Sequence, residues 1–233
     1  EELTSATRYI ITVTAVCGSD QAVASNAIAA TTLQEPVEIP YTCDFEAEGA
    51  NGWLLRNSTC TNQWYVGTRT GGTSRELFIS SDGGTSATYS GSAGVVVAEK
   101  LFQLGATDSI RISFDVTVTG ESNYDYLKVF FVDPTVAIDP TTNNSIDYAT
   151  STYSTGTIGG AKINQQSGTV HKDITIENVA PNGLQKLVFL WRNDGSVQYD
   201  PPAIIDNVMV EGAGEEITCA KPTAVVASAI TSP

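Results

Sequence analysis

The sequence predicts an all-β protein, a two-sheet sandwich of the jelly-roll type. Its 233 residues are rich in Thr, Ser, Gly and Val, which favour strands and turns over helices. About ten segments have the hydrophobic pattern of a strand, and Gly and Asn turns separate them. Short strands in this number are typical of two sheets packed face to face.

The charge of the chain limits its partners. Acidic residues outnumber Lys and Arg by 26 to 12, which gives a formal net charge of −14. Such a chain repels a phosphate backbone or an anionic membrane surface. Its apolar runs, such as residues 94–98, are far shorter than the roughly 20 residues that cross a bilayer. The sequence therefore predicts neither nucleic-acid binding nor membrane insertion.

The first 40 residues have the pattern of a hairpin followed by a linker. Residues 9–17 alternate between two faces, which predicts a strand, and a turn then leads into a second run at 22–30. Pro36 and Pro40 block regular pairing, as expected between domains.

The central strands have the clearest patterns. In residues 109–119, Ile110 and the alternate apolar residues up to Val118 are predicted to face inward, and Arg111, Ser113, Asp115 and Thr117 outward. Residues 127–132 and 187–191 are apolar on both faces, so we place them centrally in their sheets. Further strands are predicted at 64–67, 76–80, 95–102, 170–177 and 203–211. Residues 135–160 lack periodicity and predict a long surface loop.

The residues needed for catalysis are not in a recognisable arrangement. His171 is the single histidine, and its place in an alternating strand predicts that it faces solvent. No Gly-x-Ser-x-Gly motif positions a nucleophile. Glu99, Glu121 and Asp125 could meet in space as a glycosidase pair, although the sequence gives no reason to choose them. We therefore predict that the chain is not an enzyme.

Four separated strings in the central region occur in a characteristic order: 43–46 followed by Gly52-Trp53, then 77–84, then 120–127, then 191–195 with 201–207. Together they resemble the choice-of-anchor J domain of secreted Gram-negative proteins. That domain is close kin to the cleaved-adhesin domains of gingipain-type proteins and similar to the MAM jelly roll. The resemblance implies a jelly-roll sandwich, often with structural calcium, in cell-surface and adhesin-like proteins.

The two ends of the chain resemble parts of fibronectin type III domains. The Leu3 to Tyr9 spacing is similar to a tyrosine corner, and residues 219–222 are similar to the opening of the next such domain. The resemblance divides the chain into a C-terminal fibronectin fragment at 1–32, a jelly-roll domain at 33–214 and the start of another fibronectin domain at 217–233. The unpaired strand edges of such fragments predict self-association between chains.

Three acidic residues are the candidate metal ligands. Asp44 and Glu46 are two apart on the predicted first strand, and Asp206 is on the predicted last strand. First and last strands are neighbours in this fold type, so the three carboxylates could converge on a calcium ion, which prefers oxygen ligands. The alternative is that they are solvated carboxylates at a sheet edge. Asp82 and Asp194, each followed by Gly, are further possible ligands or simply turn residues.

The cysteines predict a disulfide and an oxidising compartment. Four cysteines allow three full pairings, and we expect Cys43 to pair with Cys60, since both belong to the central domain. Closing that loop would stabilise the domain by about 3 kcal/mol. Cys17 and Cys219 are left as free thiols. The pairing predicts a secreted protein; the alternative is four reduced cysteines in a cytosolic one.

Several aromatic residues are candidates for ligand contact. Tyr124, Tyr126 and Tyr199 lie near predicted turns, where their rings could stack on a sugar or a peptide. Trp64 and Trp191 lie in predicted strands and are expected in the core.

Taken with the resemblance, these features predict a non-catalytic adhesive or ligand-binding module of a secreted, surface-displayed bacterial protein, stabilised by calcium. Its partner is expected to be a glycan or a host or surface protein. The alternative is a structural spacer or an accessory domain of a secreted protease or glycosidase.

Overall fold

The computed structural model describes residues 3, 8–14, 16–17, 20–21, 24–32, 34–57, 59–136, 138 and 157–213. No helix occurs among them, and so none is long and apolar enough to cross a membrane. The strands before the sandwich are β1 (Arg8–Ile11), β2 (Val16–Cys17), β3 (Asp20–Gln21) and β4 (Ile28–Thr31). The strands of the sandwich are β5 (Val37–Glu38), β6 (Tyr41–Cys43), β7 (Leu54–Arg56), β8 (Gln63–Gly67), β9 (Glu76–Ser80), β10 (Gly94–Gln103), β11 (Ser109–Thr117), β12 (Tyr126–Val132), β13 (Thr157–Ile163), β14 (Val170–Glu177), β15 (Leu184–Asn193) and β16 (Ile204–Gly212).

These twelve strands form two six-stranded sheets, which confirms the predicted β-sandwich. Sheet A has the order β13-β12-β15-β10-β5, and β7 also pairs with β10. Sheet B has the order β14-β11-β16-β9-β8, and β6 also pairs with β16. Every pairing is antiparallel except that of β5 with β10. The first and last strands of sheet B, β6 and β16, are neighbours as predicted.

The main core lies between the sheets and follows the predicted alternation closely. In β11, Ile110 and the alternate apolar residues that follow it are fully buried. Ser113 was predicted to face outward but is buried, beside a β-bulge between Ser113 and Asp115. The predicted central position of 127–132 and 187–191 is confirmed, because β12 and β15 lie side by side in the interior of sheet A. Trp53, Trp64 and Trp191 are all buried in this core.

Several strand predictions were wrong where the pattern is weak. β13 was missed because it was assigned to the loop 135–160; Gly159 and Gly160 interrupt its apolar pattern. Residues 139–156 of that loop lie outside the described residues. The predicted first strand was too long, since β6 ends at Cys43 and Phe45 has a positive φ of 56°.

The predicted N-terminal hairpin consists of two short pairs of strands. β1 pairs antiparallel with β4, and β2 pairs antiparallel with β3. The predicted continuous strand at 9–17 is interrupted at residues 12–14. The predicted fibronectin segment at 217–233, with Cys219, lies outside the described residues.

Candidate binding surface

The outer face of sheet A is buried at its centre. Strands β10, β12 and β15 are apolar on both faces, so alternate residues pack into the main core and into a second, smaller cluster. That outer cluster consists of Val95, Val97, Phe130, Val132, Ile138, Val188 and Leu190. The outer face of this sheet is therefore unlike the wet face of a typical two-layer sandwich.

One end of this face carries Tyr126 surrounded by cations. Tyr126 of β12 lies directly opposite Arg192 of β15. The Lys162 Nζ is 4.8 Å from the centre of the Tyr126 ring, the Arg192 Cζ is 5.2 Å away and the Lys128 Nζ is 6.0 Å away. Tyr126, Lys128 and Arg192 are buried, whereas Lys162 is exposed. The structure thus removes a predicted ligand-stacking tyrosine from the surface and places it in a cationic cluster.

The polar groups of this cationic cluster are incompletely satisfied. Arg192 Nη1 donates to the Tyr124 carbonyl, and Lys162 Nζ donates to the Asn123 carbonyl at 3.0 Å. Arg192 Nε and the Tyr126 hydroxyl are buried without a hydrogen-bond partner. Within the described part of the chain, no ion pair includes Lys128, Lys162 or Arg192.

Burial, together with the charges of Lys162 and Arg192, lowers the pKa of Lys128. A cation over an aromatic ring gains about 0.5–2 kcal/mol. Removing a charge from water costs several kcal/mol. The Tyr126 ring alone therefore does not compensate these buried cations.

The opposite end of the outer face of sheet A has its charges paired. Glu99 is buried and accepts from Arg56 Nε at 2.9 Å, while Lys186 Nζ lies 3.6 Å from its other oxygen. These residues border a cleft of about 350 Å³ that reaches Gln34 and Pro134. Because Glu99 belongs to this separate ion-pair group, it does not form a glycosidase pair with Glu121 or Asp125.

Three carboxylates converge at the loop end of the sandwich, next to the cationic cluster. Oxygen atoms of Glu121, Asp125 and Asp194 all lie within 4.8 Å of one another. Asp125 is fully buried: one oxygen accepts from the Tyr89 hydroxyl at 2.6 Å and the other from the Asp194 amide at 3.0 Å. Burial raises the pKa of Asp125. Because no part of Asp125 is exposed, it cannot touch a sugar as a catalytic acid would.

Hydrogen bonds connect the backbones of two exposed tyrosines to this acidic group. The Tyr89 hydroxyl that donates to Asp125 also accepts from the Tyr199 amide at 2.9 Å. The Tyr124 amide donates to the Glu121 carbonyl at 3.1 Å. Tyr124 is 49% exposed and Tyr199 is 50% exposed. Of the three tyrosines predicted to bind a ligand, these two have accessible rings and Tyr126 does not.

A glycine is required where this loop closes on itself. Gly120 has a φ of +63°, and a Cβ at this position would lie 2.4 Å from the Asp125 carbonyl oxygen. Its amide donates to the Tyr199 carbonyl at 3.0 Å. Gly120 therefore joins the two tyrosine-bearing loops.

The carboxylates predicted to bind a metal lie elsewhere and are further apart. Asp44 and Glu46 are not on a strand: the Glu46 amide donates to Asp44 Oδ1 at 3.2 Å, and Glu46 Oε1 accepts from the Arg75 amide at 3.0 Å. Asp206 lies in β16, where burial and the charges of Glu76, Asp115 and Glu46 raise its pKa. Among the described residues, the group whose oxygens lie within 4.8 Å of one another is Glu121, Asp125 and Asp194, not this set. The sequence analysis named Asp194 as a further possible ligand but did not combine it with Glu121 and Asp125 as one metal site, because loops bring the three together.

The predicted disulfide between Cys43 and Cys60 is absent, since both are buried free thiols. Cys43 belongs to sheet B, where it is paired with Val208 of β16. The Cys60 thiol instead lies against sheet A, 3.7 Å from the Val95 carbonyl. The two cysteines are thus attached to different sheets. Burial raises the pKa of Cys60, which makes it an unreactive thiol.

Two other sequence predictions have clear outcomes. His171 is exposed on β14 and lies 2.7 Å from Asp115, as expected of a surface residue. Asp82 is a turn residue: its carboxylate accepts from the Ser80 hydroxyl at 2.6 Å, from the Ser86 hydroxyl and from the Thr85 and Ser86 amides. These hydrogen bonds, chiefly those from Ser80 and Ser86, lower the pKa of Asp82 to about 2.

No protein-family model matches the sequence, and no curated protein matches it. The resemblance to choice-of-anchor J domains therefore stays a prediction.

Among solved structures, the chain is similar to the enzymatically active domain of tailspike protein 4 of bacteriophage CBA120, with a TM-score of 0.42 and 12% identity over 72% of this chain and 20% of that one. It is also similar to a CBM22-1 xylan-binding domain from Paenibacillus barcinonensis, with a TM-score of 0.40 and 11% identity over 76% and 96% of the two chains. A family 11 carbohydrate-binding module from Clostridium thermocellum has a TM-score of 0.40 and 13% identity over 72% and 93%. The chain spans about one fifth of the tailspike chain. Similarities this distant do not identify a ligand for this protein.

Proposed function

We propose that the chain is a non-catalytic glycan-binding module of a secreted, surface-displayed protein. The observation that carries this proposal is the pair of half-exposed tyrosines, Tyr124 and Tyr199, whose backbone amides are hydrogen-bonded to the residues around the buried Asp125. An exposed aromatic ring on a hydrogen-bonded loop offers a large contact area to a sugar at little cost in conformational entropy. Secretion and surface display are supported by the sequence resemblance alone.

Both tyrosines lie on loops whose backbones are hydrogen-bonded to other parts of the chain. Asn164 donates to the carbonyls of both Glu121 and Asp125, at 3.0 and 2.9 Å, so the loop that carries Tyr124 is bonded on both sides. The Tyr199 loop is bonded through Tyr89 and Gly120. A structural spacer, the alternative function, has no need for exposed aromatic rings on hydrogen-bonded loops.

The test is binding of the protein to a panel of neutral and acidic polysaccharides in affinity gel electrophoresis, followed by titration calorimetry. We expect Tyr124→Ala and Tyr199→Ala each to weaken binding about 10-fold or more, equivalent to roughly 1.4 kcal/mol. Tyr124→Phe is the matched control, because it keeps the ring and loses only the hydroxyl. Retained affinity in both alanine variants, or no binding across the panel, would favour the spacer.

Calcium belongs to the proposal as a structural ion. Calcium prefers several carboxylate and carbonyl oxygens, and Glu121, Asp125 and Asp194 supply such a set. The three carboxylates are close enough to repel one another, and a bound cation would remove both that repulsion and the cost of burying the Asp125 charge. The residues present therefore fit the ion at this place better than the more dispersed Asp44, Glu46 and Asp206.

Thermal unfolding in calcium and in EDTA tests the ion and its place. We expect calcium to raise the melting temperature of the wild-type protein, because an ion that binds only the folded state stabilises it. Asp194→Asn should abolish the increase, and Asp206→Asn should retain it. The reverse result would place the ion at the set predicted from the sequence, and equal melting in EDTA would remove calcium from the proposal.

Self-association remains part of the proposal. Ile10 and Ile28, in the two-stranded sheet of β1 and β4, are exposed together with Ile11 and Val13. Exposed apolar residues at a short sheet favour pairing with another chain.

A further inference from the structure

The cationic cluster around Tyr126 makes hydrogen bonds to the backbone carbonyls of Asn123 and Tyr124 but no ion pair. Its members are Tyr126, Lys128, Lys162 and Arg192, and no ion pair within the described residues includes any of them. The chain has a net charge of −14, so carboxylates were plentiful. Three cations that form no ion pair with the neighbouring acidic group of Glu121, Asp125 and Asp194 are a specific local feature, since the negative charge that dominates the rest of the chain would favour pairing them.

Two buried groups within the cluster point to a missing acceptor. The Arg192 side chain is 2% exposed and its Nε has no partner, and Tyr126 is fully buried with a free hydroxyl. Buried donors are almost always satisfied, so each unsatisfied one requires an explanation. Guanidinium, ammonium and phenol hydroxyl groups are donors that an oxyanion takes.

The cationic cluster is adjacent to the proposed glycan surface. Arg192 Nη1 donates to the carbonyl of Tyr124, whose ring is half-exposed. Lys162 donates to the carbonyl of the neighbouring Asn123 and is itself exposed, so the cluster reaches solvent on that side. A sugar on Tyr124 would thus have a charged substituent within reach of Lys162 and the donors behind it.

We propose that this cluster is an anion subsite for the carboxylate or sulfate group of an acidic saccharide, in which the exposed Lys162 contacts the anion and the buried Lys128 and Arg192 add positive potential behind it. The inference rests on the proposed glycan-binding function and names the class of glycan. Because the protein as a whole repels polyanions, the local cations must supply the attraction, and binding should weaken steeply with salt.

The experiment measures affinity for polygalacturonate, dextran sulfate and neutral dextran by calorimetry at two salt concentrations. The first two polymers distinguish a carboxylate from a sulfate ligand. We expect Lys162→Gln, which removes the direct contact, to weaken binding of the acidic polymer about 10-fold, and Lys128→Met, which removes a charge behind it, to weaken binding about 5-fold. Lys172→Gln, on β14 of the other sheet, is the matched control for loss of one positive charge and should retain wild-type affinity.

Lys128→Met also separates binding from folding. Removing a buried, unpaired charge should raise the melting temperature of the free protein while binding is lost. Equal binding of an acidic polymer by wild type, Lys162→Gln and Lys128→Met would overturn the subsite. Tyr124-dependent binding of neutral glycans with no preference for acidic ones would overturn the subsite and leave the proposed function intact. Absence of binding to any polymer would overturn both.

Discussion

The outer faces of the two sheets differ in the burial and pairing of their charged side chains. On sheet B, basic side chains lie against carboxylates in partly exposed positions: Arg111 contacts Asp173 at 2.6 Å and Glu211 at 3.0 Å, and the His171 ring nitrogen Nδ1 lies 2.7 Å from Asp115. On sheet A, Glu99 pairs with Arg56 and Lys186 at one end, but at the other end Lys128 and Arg192 are buried and form no ion pair among the described residues. One sandwich therefore presents an ordinary solvated face and an unusual, desolvated one.

The difference separates structural charges from functional ones. Exposed ion pairs contribute little to stability and need no further explanation. Buried cations without partners lower stability, so a fold that keeps them is expected to use them. The same fold carries both faces, which is why the fold class alone says nothing about the ligand.

The largest expected effect tests whether the outer face of sheet A is a true second core. Val188 is fully buried there, whereas Val170 is 37% exposed in edge strand β14 of sheet B. We expect Val188→Ala to lower the free energy of unfolding by about 2 kcal/mol, because it removes buried methyl groups. The same change at Val170 should cost less than about 0.5 kcal/mol. Urea denaturation of both variants measures this, and equal losses would mean that the two faces are alike.

The sequence was sufficient to predict the sheets and insufficient to predict the site. Apolar residues on both faces of 127–132 and 187–191 correctly predicted interior strands, because a strand buried on both faces has apolar residues on both. Apolar residues on both faces of these strands also indicate a second apolar cluster outside sheet A, but the sequence analysis did not predict that cluster.

The site depends instead on contacts between distant residues. Glu121, Asp125 and Asp194 meet through loops whose path has no periodic signature, and Asp125 was noticed only as a candidate catalytic acid. Lys128 and Arg192 lie within apolar strands, where a charged residue interrupts the hydrophobic pattern. That interruption was the feature of the sequence that could have indicated the cationic cluster. Tyr126 was predicted to be exposed because it follows a turn; its position opposite Arg192 buries it.

A smaller effect is expected at the acidic side of sheet B. Burial, together with the charges of Glu76, Asp115 and Glu46, raises the pKa of Asp206. A raised pKa means that the folded protein binds a proton on this carboxyl more tightly than the unfolded chain does, so the ionised form is destabilising. Asp206→Asn should therefore stabilise the protein at pH 7 in EDTA, by less than about 1 kcal/mol after screening by solvent.

This gain should disappear as the pH falls below about 4, where Asp206 is protonated in both states. Urea denaturation at pH 7 and at low pH measures it. A loss of stability at pH 7 in EDTA would mean that Asp206 makes a favourable contact, contrary to the acidic surroundings described above.

The smallest effect is expected from the ion pairs of sheet B. Arg111→Gln breaks the contacts with Asp173 and Glu211, but these side chains are exposed, so water and salt already screen the interaction. We expect a change in melting temperature smaller than that of Asp206→Asn, and none in 1 M salt, where the Debye length is about 3 Å. Arg192→Gln is the matched change on sheet A. Because Arg192 is buried, we expect its change in melting temperature to be independent of salt. Because the lost charge is buried and has no ion-pair partner, we expect the change to differ in size from that of Arg111→Gln. Equal, salt-sensitive responses of the two arginines would erase the distinction between the faces.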